Sequence, residues 1–280
     1  KQGLGTTARR FRLVLYLWLA NLFFAVLVIG PFIYLIGKDF ARSLEGERLL
    51  RGVDFIWLGD AILKHGDALA GLSGWALIPL ALYLVWALFS SGGILGRIAA
   101  AEERTTLALF VADGCRYFFR FFRAALLSIP VYLLVFGLLY RLIGLPLASW
   151  SKTARTPWGD FWASTLRAFV FLLLFSLVRM LFDYVKIRLV ADQSRKAFRA
   201  VVVSGGFLAR RLGPAWALYM LIGVLSLLGG ALFLAVSRLL GGGWGALVLI
   251  VWLQVYAAVR QGIRVLFLAA EFHFYRGNVR

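Results

Sequence analysis

Six long apolar runs dominate the chain, at residues 13–36, 75–101, 124–143, 161–190, 214–240 and 244–270. At about 1.5 Å per residue in a helix, each run is long enough to cross about 30 Å of hydrocarbon. The runs lack the alternation of polar and apolar residues that a membrane barrel requires. Without a barrel, the backbone groups in the bilayer must be hydrogen-bonded within their own segment, as they are in a helix. The pattern therefore predicts an all-α, polytopic membrane helix bundle that forms one integral membrane domain over residues 1–280.

Two segments between these runs have helical periodicity but are amphipathic. In 105–123, four charged residues recur every three or four positions and form a single stripe of a helix, with phenylalanines on the other side. In 194–211, Arg195, Arg199 and Arg210 share one face. We predict that both segments are amphipathic helices lying in the cytoplasmic interface of the membrane. The remaining links, at 37–74, 145–160 and 241–243, are predicted to be outer loops.

The composition supports the membrane class. Apolar residues make up 62% of the chain and charged residues 16%, whereas about a quarter of a soluble domain is charged. The net charge of +18 is distributed by loop: twenty Lys and Arg lie on the side of the N-terminus and nine on the opposite side. This bias predicts that both termini are cytoplasmic. It also favours anionic lipid headgroups over nucleic acid as the partner of the basic residues.

Ionisable residues within the apolar runs are the natural candidates for function, because placing each one in a membrane costs a few kcal/mol. Asp183 lies one helical turn from two basic residues, so it can be paired within its own helix. Two interpretations of the whole set remain open. It forms a gate or a site for an anion or lipid headgroup, or it is a collar of snorkelling side chains. The candidates are Arg97, Arg179, Asp183, Lys186, Arg260, Arg264 and Glu271.

The sequence gives little support for a disulfide, a bound cofactor or a catalytic site. A single cysteine, Cys115, excludes an internal disulfide and is expected to be buried. In the predicted topology His65 and His273 lie on opposite sides of the membrane, which argues against a histidine-ligated cofactor. The common phosphate-binding, hydrolase and dinucleotide motifs are absent from the sequence. We therefore expect no enzymatic activity, no cofactor and no metal. A GxxxG pair, Gly92 and Gly96, predicts close contact with another helix of the protein or of a partner.

Four segments together resemble a known type of protein. They are Ser-Leu-Glu-Gly-Glu-Arg-Leu-Leu-Arg-Gly-Val-Asp at 43–54, Gly-Gly-Ile-Leu at 92–95, Phe-Phe-Arg-Phe-Phe-Arg at 118–123 and Asp-Tyr-Val-Lys-Ile at 183–187. In this order they resemble uncharacterised six-helix bacterial integral membrane proteins of the domain-of-unknown-function type. Some of those are similar to membrane regions attached to glycerophosphodiesterases. The resemblance implies six helices and a place in the bacterial inner membrane, and it implies no activity.

Two functions follow as expectations. The first is a non-catalytic accessory or scaffolding subunit of a membrane protein complex, with membrane lipids and other membrane subunits as partners. The alternative is a small transporter or lipid-handling protein that uses the cationic collar on its cytoplasmic side.

Overall fold

The computed structural model describes residues 11–40, 66–100, 105–153, 157–194, 196–239 and 245–278, and these parts of the chain contain helices and no strand. A π-helical turn, Tyr140–Gly144, connects the third and fourth α-helices. The α-helices are α1 (Phe11–Phe40), α2 (Gly66–Ala99), α3 (Leu107–Leu139), α4 (Leu145–Thr153), α5 (Pro157–Ala191), α6 (Ala197–Leu239) and α7 (Gly245–Asn278).

Six of these helices are long and apolar enough to cross a membrane, and the short α4 is not among them. Large apolar side chains cover much of their outer surface, as Leu228 and Leu133 illustrate. Exposure of that apolar surface to water would be unfavourable in free energy, whereas its contact with lipid tails is not. The prediction of an all-α helix bundle is confirmed, and the chain is a multi-pass membrane protein.

The packed core lies towards one end of the bundle, where α2 and α5 end and α3 and α6 begin. We call this the basic end. Leu13 and Leu17 near the start of α1 share the core with Phe272 and Tyr275 near the end of α7. The first and last helices therefore have their outer termini at the same end of the molecule.

Near its end, α2 carries glycines that allow α3 to approach closely. A methyl group on Gly93 would lie 2.5 Å from the ring of Phe110, and one on Gly96 would lie 2.6 Å from Cβ of Asp113. On α3, a methyl group on Gly114 would lie 2.6 Å from the ring of Phe89. The helix contact predicted from the GxxxG pair is therefore made within the protein.

The prediction of a separate interfacial helix at 105–123 is wrong, because α3 runs without a break from Leu107 to Leu139. Thr106 caps its start by accepting a hydrogen bond from the amide of Leu109 at 3.3 Å. The boundary residues 124–127 are Ala-Ala-Leu-Leu, which are strong helix formers, so nothing ends the helix there. Phe110, expected to face the membrane, is buried in the core instead.

The second amphipathic segment is set apart by a bend. Arg211 has non-helical backbone angles (φ −129°, ψ 29°) within α6. Pro214 follows three residues later, and a proline inside a helix lacks a donor and clashes with the carbonyl four residues before it. The segment before the bend buries Ala197, Ala200, Ser204 and Leu208 along one face. Its place at a membrane surface stays a prediction, and Arg195 lies outside the described residues.

Smaller differences concern the links. Residues 145–153, predicted to be part of a loop, form α4, and α2 begins at Gly66, inside the predicted 37–74 loop. Cys115 is exposed on α3, so the prediction that it is buried is wrong. His65 and the predicted turn at 241–243 lie outside the described residues.

Candidate functional site

A cavity of about 930 Å³ lies inside the bundle and is lined by residues of all six long helices. On α7 its lining extends from Leu253 to Leu268, which is about 23 Å along a helix axis. This volume is in the range of cavities that hold drug-sized molecules, roughly 300–1,000 Å³.

Two helices bring basic side chains to the cavity. Arg179 and Lys186 come from α5, and Arg260 and Arg264 come from α7. Spacings of three, four and seven residues place side chains on one helix face, so each pair points the same way. With Asp183, five of the seven residues predicted from the sequence meet in one cavity.

Asp183 is the acidic residue of the lining, and it is buried. Its Oδ1 accepts a hydrogen bond from Nζ of Lys186 at 2.9 Å. The sequence predicted possible pairing with Arg179 as well. Among the described residues, however, the ion pair of Asp183 is made with Lys186 alone. The guanidinium of Arg179 is therefore left facing the cavity without a carboxylate partner in the described part of the chain.

Arg264 is held in place by the end of α2. Its Nη2 donates to Oγ of Ser90 at 3.0 Å and to Oγ of Ser91 at 3.2 Å. The Ser91 hydroxyl in turn donates to the carbonyl oxygen of Ala87 at 2.7 Å. This serine pair was not predicted from the sequence, although two adjacent serines within a long apolar run are a visible signal for a polar partner.

Positive charge is in excess around the cavity. Throughout the described part of the chain, no carboxylate lies within 4.0 Å of Arg179, Arg260 or Arg264. Insertion scales assign about 2.5–3.5 kcal/mol to a basic residue at the centre of a membrane helix. These guanidinium groups therefore require water or an anion in the cavity, and they can bind an anionic group through charge-assisted hydrogen bonds.

The remaining lining is of two kinds. Polar contacts include the indole Nε1 of Trp18, which donates to Oε1 of Gln254 at 3.2 Å and connects α1 to α7. Apolar side chains make up much of the rest, and they include Leu22, Leu227, Leu253, Ile263, Phe267 and Leu268. A cavity that combines cations with an apolar lining is suited to a molecule with a charged group and an apolar tail.

The other two predicted residues, Arg97 and Glu271, do not line the cavity. Arg97 forms a buried ion pair with Asp113 between α2 and α3. Its Nη1 is buried without a hydrogen-bond partner among the described residues. Glu271 is 1% exposed, and its two carboxyl oxygens likewise have no described partner. Both residues belong to the packed core of the basic end.

Among the described residues, no group of three His, Cys, Asp or Glu side chains is placed to hold a metal ion. Comparison of the chain with protein-family models, curated proteins and solved structures finds no match. The resemblance to six-helix bacterial membrane proteins therefore stays a prediction, and the function must be argued from the cavity.

Proposed function

We propose that this membrane protein is a non-catalytic lipid-handling protein or small transporter that binds an anionic amphiphile in its central cavity. The observation that supports the proposal is the convergence of Arg179, Arg260 and Arg264 on one cavity whose described lining contains a single acidic residue. The ligand class is a phosphate or carboxylate group attached to an apolar tail. We place the protein in the bacterial inner membrane, with the basic end and both termini in the cytoplasm.

The apolar lining explains why the ligand should be an amphiphile. A small hydrophilic anion would satisfy the guanidinium groups but would leave Leu253 and Phe267 in contact with water. An attached hydrocarbon tail removes that apolar surface from water, at about 25 cal/mol per Å². Charged groups and tail therefore contribute together to affinity, and the tail adds selectivity against free phosphate.

The test is a calorimetric titration of the purified protein, in an uncharged detergent, with dodecyl phosphate. The double substitution Arg179→Gln and Arg260→Gln removes two charges and leaves Arg264 with its serines. Because hydrogen bonds to charged groups contribute about 1.5–3 kcal/mol each, we expect affinity to fall at least about tenfold.

The matched control is Arg141→Gln with Arg238→Gln. Both arginines are exposed and lie outside the cavity, and their replacement removes the same charge. The control should bind dodecyl phosphate within about twofold of the unchanged protein. Equal affinity in both double variants would contradict a cavity site.

An accessory or scaffolding subunit is the second candidate. The feature that favours it is the exposure of Phe119 (70%) and Phe198 (71%) near the basic end, where a partner helix could cover them. Membrane lipid would also cover them. Purification in a mild detergent distinguishes the roles, because an accessory subunit should retain a stoichiometric protein partner that is released by Phe119→Asp with Phe198→Asp.

A further inference from the structure

A second concave site lies on the outside of the bundle, between α3 and the start of α6. It is a groove of about 630 Å³ lined by three basic residues, Arg123, Lys196 and Arg199, and by Leu126, Leu127, Ala197 and Phe198. Among the described lining residues none is acidic, and none of them lines the central cavity. The groove is therefore separate from the site of the proposed function.

The basic side chains of the groove are available to a ligand. Arg123, Lys196 and Arg199 are exposed, and none forms an ion pair with a described residue. The described acids nearest in sequence are already engaged, since Asp113 pairs with Arg97 and Asp192 pairs with Arg188 at 3.1 Å. Three cations thus share one groove without a described counter-charge.

An apolar track continues from the groove along α3. Arg123, Leu126, Pro130 and Leu134 recur at spacings of three, four and four residues, so they follow one face of the helix. The last three are exposed, and Leu134 lies about 16 Å from Arg123 along the axis. That length is close to the depth of one leaflet, which is half of about 30 Å.

The three cations suit the anionic headgroup of a phospholipid, and the apolar track beside them is about as long as its acyl chain. We infer that the groove between α3 and α6 binds an anionic phospholipid. Its phosphate contacts Arg123, Lys196 and Arg199, and its acyl chain lies along Leu126, Pro130 and Leu134. Basic pockets between membrane helices are a known means of holding anionic headgroups. An acidic protein segment would match the charges but would leave the apolar track without a partner.

The experiment is a titration followed by native mass spectrometry, in which the full chain takes up dioleoyl phosphatidylglycerol or dioleoyl phosphatidylcholine. The two lipids share acyl chains and differ in net charge. The groove variant carries Arg123→Gln, Lys196→Gln and Arg199→Gln. We expect its affinity for the first bound phosphatidylglycerol to fall at least about tenfold, and its affinity for phosphatidylcholine to change by less than about twofold.

The matched control carries Arg141→Gln, Arg167→Gln and Arg238→Gln. These three exposed arginines lie on the other half of the bundle, so the control loses the same charge outside the groove. It should keep phosphatidylglycerol affinity within about twofold. An equal loss in both triple variants would mean general charge attraction and would overturn the site, as would an unchanged affinity in the groove variant.

Two further variants keep the inference testable if the groove variant folds poorly. Arg123→Lys with Arg199→Lys preserves the charges and should retain binding within about threefold. Leu134→Asp places a charge on the apolar track and should weaken binding of phosphatidylglycerol about tenfold. If neither result is obtained, or if the groove variant releases a co-purified protein while its lipid affinity is unchanged, the lipid assignment is wrong.

The proposed groove site and the proposed cavity site can be tested independently of each other. Arg179→Gln with Arg260→Gln should leave binding of the first phosphatidylglycerol unchanged, because neither residue touches the groove. Loss of phosphatidylglycerol binding in that variant would assign the lipid to the cavity and overturn the groove site.

Discussion

Arg264 reaches from α7 to the serines at the end of α2, and its contacts fix the position of one cation in the cavity. Ser90→Ala with Ser91→Ala removes both hydroxyl acceptors and leaves Nη2 of Arg264, among its described partners, only the carbonyl oxygen of Ala87 at 3.4 Å. Because hydrogen bonds to charged groups contribute about 1.5–3 kcal/mol each, we expect a lower midpoint of thermal unfolding in detergent. Ser176→Ala is the control, since the Ser176 hydroxyl bonds to the carbonyl of Leu173 in its own helix. Equal midpoints in the two variants would contradict this role of the serines.

The ion pair of Arg97 and Asp113 is the second feature at the scale of single residues. Their side chains are 9% and 12% exposed, and removing one partner of a buried pair costs about 3–5 kcal/mol. Asp113→Asn should therefore destabilise the protein strongly. Asp192→Asn is the comparison, because that carboxylate is 37% exposed in its pair with Arg188, and such pairs contribute about 0–1 kcal/mol. Thermal unfolding of both variants checks the order, and an equal effect would refute it.

At the scale of helices, the contact of α2 with α3 depends on glycine. Gly93→Ala would place a methyl group 2.5 Å from the Phe110 ring and 2.9 Å from its backbone oxygen, so neither neighbour can move aside easily. We expect a loss of about 1–3 kcal/mol in stability. Gly74→Ala on the same helix meets no heavy atom within 4 Å and should stabilise by up to about 1 kcal/mol. The two unfolding midpoints should therefore shift in opposite directions, and shifts of the same sign would contradict the packing.

The same helices show what a sequence pattern can and cannot predict. Helical spacing is local, so it correctly placed Arg260 with Arg264 and Asp183 with Lys186. Pro214 also carried a usable local signal for the bend at Arg211. Which helices meet is not encoded locally. The burial of Phe110 against α2 and the pairing of Arg97 with Asp113 therefore could not be derived from periodicity.

At the scale of the whole molecule, the prediction concerns the topology of the chain in the membrane. In a Cys115→Ser background, a cysteine at Arg238 should react with a membrane-impermeant maleimide added to intact cells. A cysteine at Arg276, near the basic end, should react only after the cells are opened. This follows from the excess of Lys and Arg on the side of the termini. The reverse labelling pattern would place the basic end outside the cell.

The central claim is that the cavity binds an anionic group through the arginines of α5 and α7. An experimental structure of the protein saturated with dodecyl phosphate tests it most directly. The account predicts density for the phosphate within hydrogen-bonding distance of Arg179, Arg260 or Arg264, with the alkyl chain against apolar lining such as Phe267. A cavity without the ligand under these conditions, with dodecyl phosphate found only on the outer surface, would contradict the claim.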